Sequence, residues 1–249
     1  MLKAAETINQ TGQAALADPG EWQIICDFDG TITPYDVTDA ILKKFAPSRW
    51  EEIERDWLDG RISARECMDR QVRLISASRQ ELDDFLDEVP VVPGFNEFID
   101  YCRSRELGVL VLSDGLDYAI KRILGRAGLA SVSVIANRLC FDAAGYRLEF
   151  PYGSPGCGSG VCKCAVAAAL GGKTLLIGDG KSDCCLAGKS AVVFARHGKR
   201  LHRHCRMENY PYLTWKDFHE VRDRLESLLL QTKADLVEAP SQNHLCAAS

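Results

Sequence analysis

Apolar residues along this chain fall into short unbroken runs and into stripes that repeat every three to four positions. The runs Ile24-Ile25-Cys26, Val109-Leu110-Val111-Leu112 and Thr174-Leu175-Leu176-Ile177 predict β-strands, the first over about Gln23 to Asp27 and the second over Gly108 to Leu112. The stripes predict helices. Val37, Ile41, Leu42 and Phe45 share one helical face, followed by the pairs Ile53 and Trp57, Cys67 and Leu74, and Leu82 and Leu86, so residues 36–90 read as a helical insertion. Pro93-Gly94 opens another helix, with Phe95, Phe98, Ile99 and Cys102 in one stripe. A hairpin is expected around Leu139 to Leu148, turning at Ala143-Ala144-Gly145, before a glycine-rich loop from Gly153 to Gly160. Phe218, Val221, Leu225, Leu228 and Leu229 mark a final amphipathic helix. Strand alternating with helix on both sides of the insertion predicts an α/β fold with a parallel sheet, its body formed by residues 21–35 and 91–232. Residues 1–20 read as a loose N-terminal extension and residues 233–249 as a loosely ordered tail.

Composition narrows the class of protein. With 46% hydrophobic and 26% charged residues, the 249-residue chain can bury a substantial core, which excludes disorder for most of its length. A net charge of −5 gives no reason to expect nucleic acid or an acidic membrane surface as partner. No apolar run approaches the roughly 20 residues that span a bilayer. The first 20 residues mix Lys3, Glu6, Gln13 and Asp18 with alanines and lack the basic start and apolar centre of a signal peptide. A cytoplasmic location follows, and eleven cysteines are then expected as reduced thiols. Cys157, Cys162 and Cys164 share one loop, where a structural zinc or a redox role is conceivable, although a fourth zinc ligand is not evident nearby. His202, His204 and Cys205 lie close in sequence, but Lys199 to Arg206 reads more simply as a basic, solvated helix. Gly172-Lys173-Thr174 imitates the end of a P-loop, yet Ala167 occupies the position of its first glycine and a strand follows. The terminal Cys246-Ala247-Ala248-Ser249 matches a prenylation box without a preceding basic run.

Chemistry concentrates where the strands end. Asp27-Phe28-Asp29-Gly30-Thr31 follows the first run, Ser113-Asp114-Gly115 the second, and Gly178-Asp179-Gly180-Lys181-Ser182-Asp183 the third. Ligands of open α/β sheets bind beyond the carboxyl ends of the strands, so parallel neighbours would converge these groups on one crevice. Lys163 opens the helical stretch before the last cluster. Hard carboxylate oxygens gathered in this way suggest Mg2+. Each residue also has a plainer reading: Lys163 as a solvated lysine, Ser113 as a turn former, Asp183 as a helix cap.

In the order DFDGT, LSDG, Lys163 and GDGKSD, the chain resembles the haloacid dehalogenase superfamily of Mg2+-dependent phosphatases. The resemblance spans roughly residues 22 to 230. It implies a Rossmann-like parallel sheet with an inserted helical cap that closes over the site. It also implies roles: Asp27 as the nucleophile forming an aspartyl phosphate, Asp29 as general acid and base, and Lys163, Ser113, the Asp114 backbone N–H and Ser182 as phosphate-binding groups. Mg2+ would be held by the Asp27 carboxylate, the Asp29 main-chain carbonyl and Asp179, supported by Asp183. The cap also admits a plainer reading as a dimerisation arm.

Within the superfamily, Gly125-Arg126-Ala127-Gly128-Leu129 and Ala136-Asn137-Arg138-Leu139 resemble the phosphoserine phosphatase branch. The chain departs from that branch where the substrate carboxylate would be bound: the acidic residue after the first motif is the shorter Asp36, and the cap arginine falls on Gln71, with Arg70 and Arg73 nearby. Asp36, the cysteine-bearing approach to Cys162-Lys163 and Val193-Phe194-Ala195-Arg196 are similar to the methionine-salvage phosphatases that act on 2-hydroxy-3-keto-5-methylthiopentenyl-1-phosphate, and to the phosphoethanolamine/phosphocholine phosphatases. The resemblance thus implies a small phosphorylated metabolite as partner, with the methionine-salvage compound favoured. Phosphoryl transfer to an alcohol, dehalogenation and a catalytically silent phosphate-binding protein are the competing functions, and oligomeric state is left open.

Overall fold

The computed structural model describes residues 22–142 and 145–237, so the expectations for residues 1–20, for Ala143-Ala144 and for Cys246 lie outside the described residues. Its body is a seven-stranded sheet. In chain order the strands are β1 (Trp22–Cys26), β2 (Val109–Leu116), β3 (Ser133–Asp142), β4 (Gly145–Glu149), β5 (Lys173–Gly178), β6 (Val192–Arg196) and β7 (Leu213–Trp215). They lie in the order β4-β3-β2-β1-β5-β6-β7, all neighbours parallel except the antiparallel β3–β4 hairpin. β1 is central. Successive connections leave it first towards β2 and β3 and later towards β5 and β6, which opens a crevice beside its carboxyl end.

Both faces of this sheet are covered, as continuous apolar runs require in a parallel arrangement. The alternation of side chains is clear in three strands: Ile24, Cys26, Leu175, Ile177, Val192 and Phe194 enter one core, while Ile25, Leu176, Val193 and Ala195 enter the other. The first face is covered by α5 (Phe95–Ser104), α6 (Asp117–Arg126) and α10 (Phe218–Val237), whose Phe95, Phe98 and Phe218 pack together with ring centroids 4.8–6.4 Å apart. The second face is covered by α7 (Lys163–Leu170), α8 (Cys184–Ala187) and α9 (Arg200–Met207) through Val166, Leu186, Leu201 and Cys205. α9 is thus half core, not wholly solvated, and its Cys205 is buried away from His202 and His204. α10 continues past Lys233, where a loose tail was expected.

Between β1 and α5 the chain forms four helices: α1 (Val37–Phe45), α2 (Trp50–Leu58), α3 (Ala64–Val72) and α4 (Arg79–Asp87). Local chemistry starts three of them. Asp36, Ser63 and Ser78 accept backbone N–H bonds from Asp39, Glu66 and Glu81, and Glu81 returns the bond to Ser78 in a capping box. The inward stripe of these helices does not form a separate core. Val37, Ile41, Leu42, Val72, Leu82 and Leu86 belong to the same buried cluster as Ile24 and Phe98. Polar ties reinforce the junction: Arg122 of α6 bridges Asp83 and Asp87 of α4 at 3.1 and 2.6 Å. Among the described residues no helix is long and apolar enough to cross a membrane.

Candidate active site

Register decides what the strand ends can share. Cys26 is level with Val111 of β2 and Ile177 of β5, so the residues that follow on all three strands emerge at one height. There they line a cavity of about 540 Å³ whose floor includes Asp27, Asp29, Ser113, Asp114, Asp179 and Ser182, and whose roof comes from α1, α2 and α3. That size suits a small ligand. Each residue expected at the site from sequence lines this cavity except Lys163 and Asp183, which lie directly beneath it, fully buried.

The lysine is the pivot of the floor. Lys163 opens α7, and its Nζ lies 2.8 Å from Asp27 Oδ1 and 2.6 Å from Asp183 Oδ1. Burial works against its ammonium, but Asp183 and Asp27 outweigh that and hold its proton more tightly than in water. The plainer reading of a solvated lysine is therefore excluded. Asp27 Oδ1 also accepts the Phe28 N–H at 2.8 Å, which leaves Oδ2 as the less engaged oxygen. Burial and the neighbouring Asp183 still raise the Asp27 carboxyl well above its ordinary value despite the lysine. One cation faces too many carboxylates.

Asp183 was open to a helix-capping role, but its carboxylate reaches back across the turn. Oδ2 accepts the N–H groups of Asp179 and Gly180 at 3.1 and 3.0 Å, so it shapes the loop that presents Asp179. Asp179 itself accepts from the Thr31 hydroxyl at 3.3 Å, and lost hydration together with Asp183 raises its carboxyl to about 6. Oxygens of Asp27, Asp179 and Asp183 all lie within 4.8 Å of one another. Three carboxylates this close, with carboxyls raised at Asp27 and Asp179, are a donor set that a hard divalent cation would fit. Among the described residues no other acid, histidine or cysteine group gathers this tightly.

Asp29 stands apart from that cluster. Its Oδ1 accepts the N–H of Val37, the first residue of α1, at 2.8 Å, and its Oδ2 lies 3.5 Å from the Ser113 hydroxyl. Loss of hydration raises its carboxyl to about 6, against the lowering effect of the Val37 hydrogen bond and Lys163. Ser113 Oγ accepts the Gly115 N–H at 2.9 Å, a turn-forming bond that also aims the hydroxyl at the cavity. The Asp114 carboxylate serves a different end: it accepts from Val161 N at 2.8 Å and Asn137 Nδ2 at 3.1 Å, bracing β2 against the loop that leads to Lys163.

Two glycines permit this crowding. Gly30 has φ +70°, and a Cβ there would fall 2.5 Å from Asp179 Oδ2. A Cβ at Gly115 would collide with Asp29 Oδ2 in the same way.

The roof carries mixed chemistry. Tyr35, Trp57, Cys67 and Met68 supply apolar wall, while Asp36, Asp39, Glu54 and Gln71 supply polar groups. Gln71 is buried and spends its amide on the Glu54 carboxylate at 3.0 Å and the Trp50 carbonyl at 3.3 Å. Arg70 and Arg73 do not stand in for it, because each is exposed and paired one turn back along α3, with Glu66 and Asp69. A different arginine matters here. Arg65 of α3, not singled out from sequence, donates to the carbonyls of Cys157 and Ser159 at 3.2 and 2.9 Å, tying the roof to the glycine-rich loop. Lys181, Arg196 and Lys199 stand in stretches that the sequence brings forward, but the sequence gives none of them a role. Lys181 and Lys199 line the cavity, Lys181 Nζ lies 4.4 Å from the Trp57 ring centroid, and Arg196 donates to the Gly30 carbonyl. The basic run at the end of β6 was the available signal for Arg196 and Lys199.

The haloacid dehalogenase-like hydrolase family model matches residues 24–188. A 2-hydroxy-3-keto-5-methylthiopentenyl-1-phosphate phosphatase of Brevibacillus brevis is 33% identical over 208 residues, covering 80% of this chain and 92% of its own. The protein of the same name from Bacillus velezensis is 31% identical, covering 82% and 90%. Among solved structures, a phospho-aspartyl intermediate analogue of phosphoserine phosphatase superposes with TM-score 0.60 at 19% identity over 82% of this chain and 97% of that one. A probable phosphoserine phosphatase from Vibrio cholerae gives TM-score 0.67 at 15% identity over 88% and 68%.

Proposed function

This chain belongs to the haloacid dehalogenase-like hydrolase family and is a phosphoric monoester hydrolase, and we propose that it hydrolyses 2-hydroxy-3-keto-5-methylthiopentenyl-1-phosphate through an aspartyl phosphate. The observation that carries the mechanism is the contrast between two carboxylates two positions apart. Asp27 is fixed by Lys163 and Phe28 N–H with Oδ2 left for attack, while Asp29 has a carboxyl raised to about 6 and is able to hold a proton near neutrality. Asp27 Oδ2 attacks phosphorus as the bond to the leaving oxygen breaks, and Asp29 gives that oxygen its proton. Water then attacks phosphorus, returns a proton to Asp29 and releases phosphate from Asp27. The Ser113 hydroxyl, the Asp114 N–H, Lys163 and Ser182 hold phosphoryl oxygens as charge develops. Mg2+ held by Asp27, the Asp29 carbonyl and Asp179, with Asp183 in support, would neutralise the approaching phosphate.

The leaving group is chosen by the roof. Trp57, Met68 and Cys67 offer an apolar wall that suits a methylthio tail, and Gln71, committed to Glu54 and Trp50, offers no bidentate partner for the carboxylate of phosphoserine. A second reading rests on Asp39 and Glu54, whose negative charge at the same wall favours an ammonium, as in phosphoethanolamine or phosphocholine. Phosphate release from these four esters, each with Mg2+ and with excess chelator, separates the readings. Metal-dependent turnover concentrated on the methylthio compound is expected; preference for an amine ester would move the assignment to the second reading. Added acceptor alcohols should leave free phosphate as the product, and phosphorylated alcohol in its place would make the chain a transferase.

A further inference from the structure

Arg65 takes no part in the chemistry above, yet its donors all turn to the loop that ends in Lys163. Its backbone N–H bonds the Gly158 carbonyl at 2.8 Å. Its guanidinium bonds the Ser159 carbonyl through Nε and Nη2 at 3.2 and 2.9 Å, and the Cys157 carbonyl through Nη2 at 3.2 Å. One residue of α3 thus holds three consecutive carbonyls. The guanidinium also lies 5.8 Å from the Phe150 ring centroid and fills the space over Gly153, where a Cβ would fall 2.6 Å from Nη2. The fixed plane of donors in a guanidinium suits such a clamp better than the single point of an ammonium. Past the clamp the loop is gripped from its other side. Val161 N–H bonds the Asp114 carboxylate at 2.8 Å, Cys162 N–H bonds the Tyr152 carbonyl at 2.9 Å, and a Cβ at Gly160 would collide with Asn137 Oδ1. Lys163 comes next, the first residue of α7, a helix that starts without a side-chain cap. Its place is therefore set by the loop before it.

We propose that Arg65 is a positioning residue for phosphate-ester hydrolysis: from the roof it sets the loop at 157–162, so that Lys163 meets Asp27 and the phosphoryl group only while α3 is seated. An intact floor is thereby conditional on a seated roof. Without the guanidinium, the Cys157 and Ser159 carbonyls lose their partner and turn to water, and the loop gains freedom four residues before the lysine. Lys163 has little freedom to absorb the change, because its Nζ is fully buried between Asp27 and Asp183 at 2.8 and 2.6 Å. Misplacing a catalytic group by ~1 Å can cost about 10²-fold in rate. The phosphoryl group is common to every ester, so a loss that passes through Lys163 falls equally on all leaving groups. A residue that shaped the roof's wall would instead discriminate among them.

The proposal rests on the reading of Lys163 as a phosphate-binding group, and the test keeps the two apart. The full chain carrying Arg65→Met, which keeps the length of the side chain and removes its donors, is compared with wild type on the methylthio ester and on p-nitrophenyl phosphate. Amide hydrogen exchange of the peptide holding Val161 and Cys162 is followed by mass in parallel. We expect kcat to fall about tenfold to 10²-fold by the same factor on both esters, with KM nearly unchanged, and those amides to exchange about tenfold faster. Arg65→Lys, which keeps the charge and one donor group, should fall between the two proteins in both readouts, and it decides the matter if Arg65→Met does not fold. An unchanged kcat, a loss confined to KM or to one ester, or a slower enzyme whose Val161 and Cys162 amides exchange as in wild type would each overturn the proposal. Lys163→Met assayed alongside isolates the premise: normal turnover there would sink the role given to the lysine, whereas a crippled Lys163→Met beside an unimpaired Arg65→Met would sink the clamp alone.

Discussion

On the cavity floor, Lys163 holds Asp27 and Asp183 at 2.8 and 2.6 Å with all three side chains shut away from water; at the end of α3, Arg73 holds Asp69 at 3.0 Å in the open. The bond is the same and its consequences are not. An exposed pair on one helix is screened and gains little over hydration. A buried pair has surrendered hydration on both sides, so each partner depends on the other. The floor is also unbalanced: a single ammonium serves carboxylates that already repel one another, whereas the roof's ion pairs match charge for charge. Repulsion of this kind gathers on the floor and on Asp36 and Asp39, the acids that face it from the roof, while the exposed pairs of α3 carry none of it.

The largest break in that contrast comes from the nucleophile. Asp27→Asn keeps the shape of the floor and removes the attacking oxygen's charge, so steady-state phosphate release should fall to background; a variant that still turns over at an appreciable fraction of the normal rate would exclude the aspartyl phosphate. Asp29→Asn should cost about 10²–10⁴-fold, the usual contribution of a general acid, and most with poor leaving groups. Lys163→Met strands two buried carboxylates and should destabilise the fold by about 3–5 kcal/mol at pH 7 in urea titrations. At pH 5 the loss should shrink, because the raised Asp27 carboxyl takes up a proton; an equal loss at both values would mean that packing, not charge, is what the lysine supplies.

A gentler probe is proton linkage without metal. Asp29 and Asp179 move from the ordinary 3.8 to about 6 on folding, so between about pH 4 and 6 the folded chain binds more protons than the unfolded one. Their contribution to stability is present below about pH 4 and is lost as pH rises through 6. In chelator, the urea midpoint of the wild type minus that of Asp179→Asn should therefore decline across this window, and saturating Mg2+ at pH 7.5 should raise the wild-type midpoint. A difference that is flat or climbs with pH would contradict the assigned charge excess. Smallest of all, Arg73→Ala should leave both the thermal midpoint and turnover within experimental scatter, and a clear drop would show that the roof's pairs are not mere surface pairs.

Much of the floor was legible in sequence because each of its motifs is local: an apolar run, then a carboxylate or hydroxyl, then glycine, at Asp27, Ser113 and Asp179. Strand geometry does the rest, since parallel neighbours in register end together. The groups that escaped notice are those whose partner lies far along the chain. Arg65 is an ordinary helix arginine until α3 lands on the carbonyls of Cys157 and Ser159. Asp183 was open to capping from its place before a helix, yet its two backbone bonds run backwards to Asp179 and Gly180. The extension of α10 past Lys233 escaped for a different reason, since the residues there carry no apolar stripe to announce it.

The close fit of Gly30 under Asp179 has a consequence for how this chain can vary. The two positions are separated by most of the molecule's sequence, yet a single added methyl at the first would displace the carboxylate at the second, so neither motif can drift without the other. The two acidic loops are therefore one steric unit: a side chain added to the first is felt at once by the second, although 148 residues of chain lie between them.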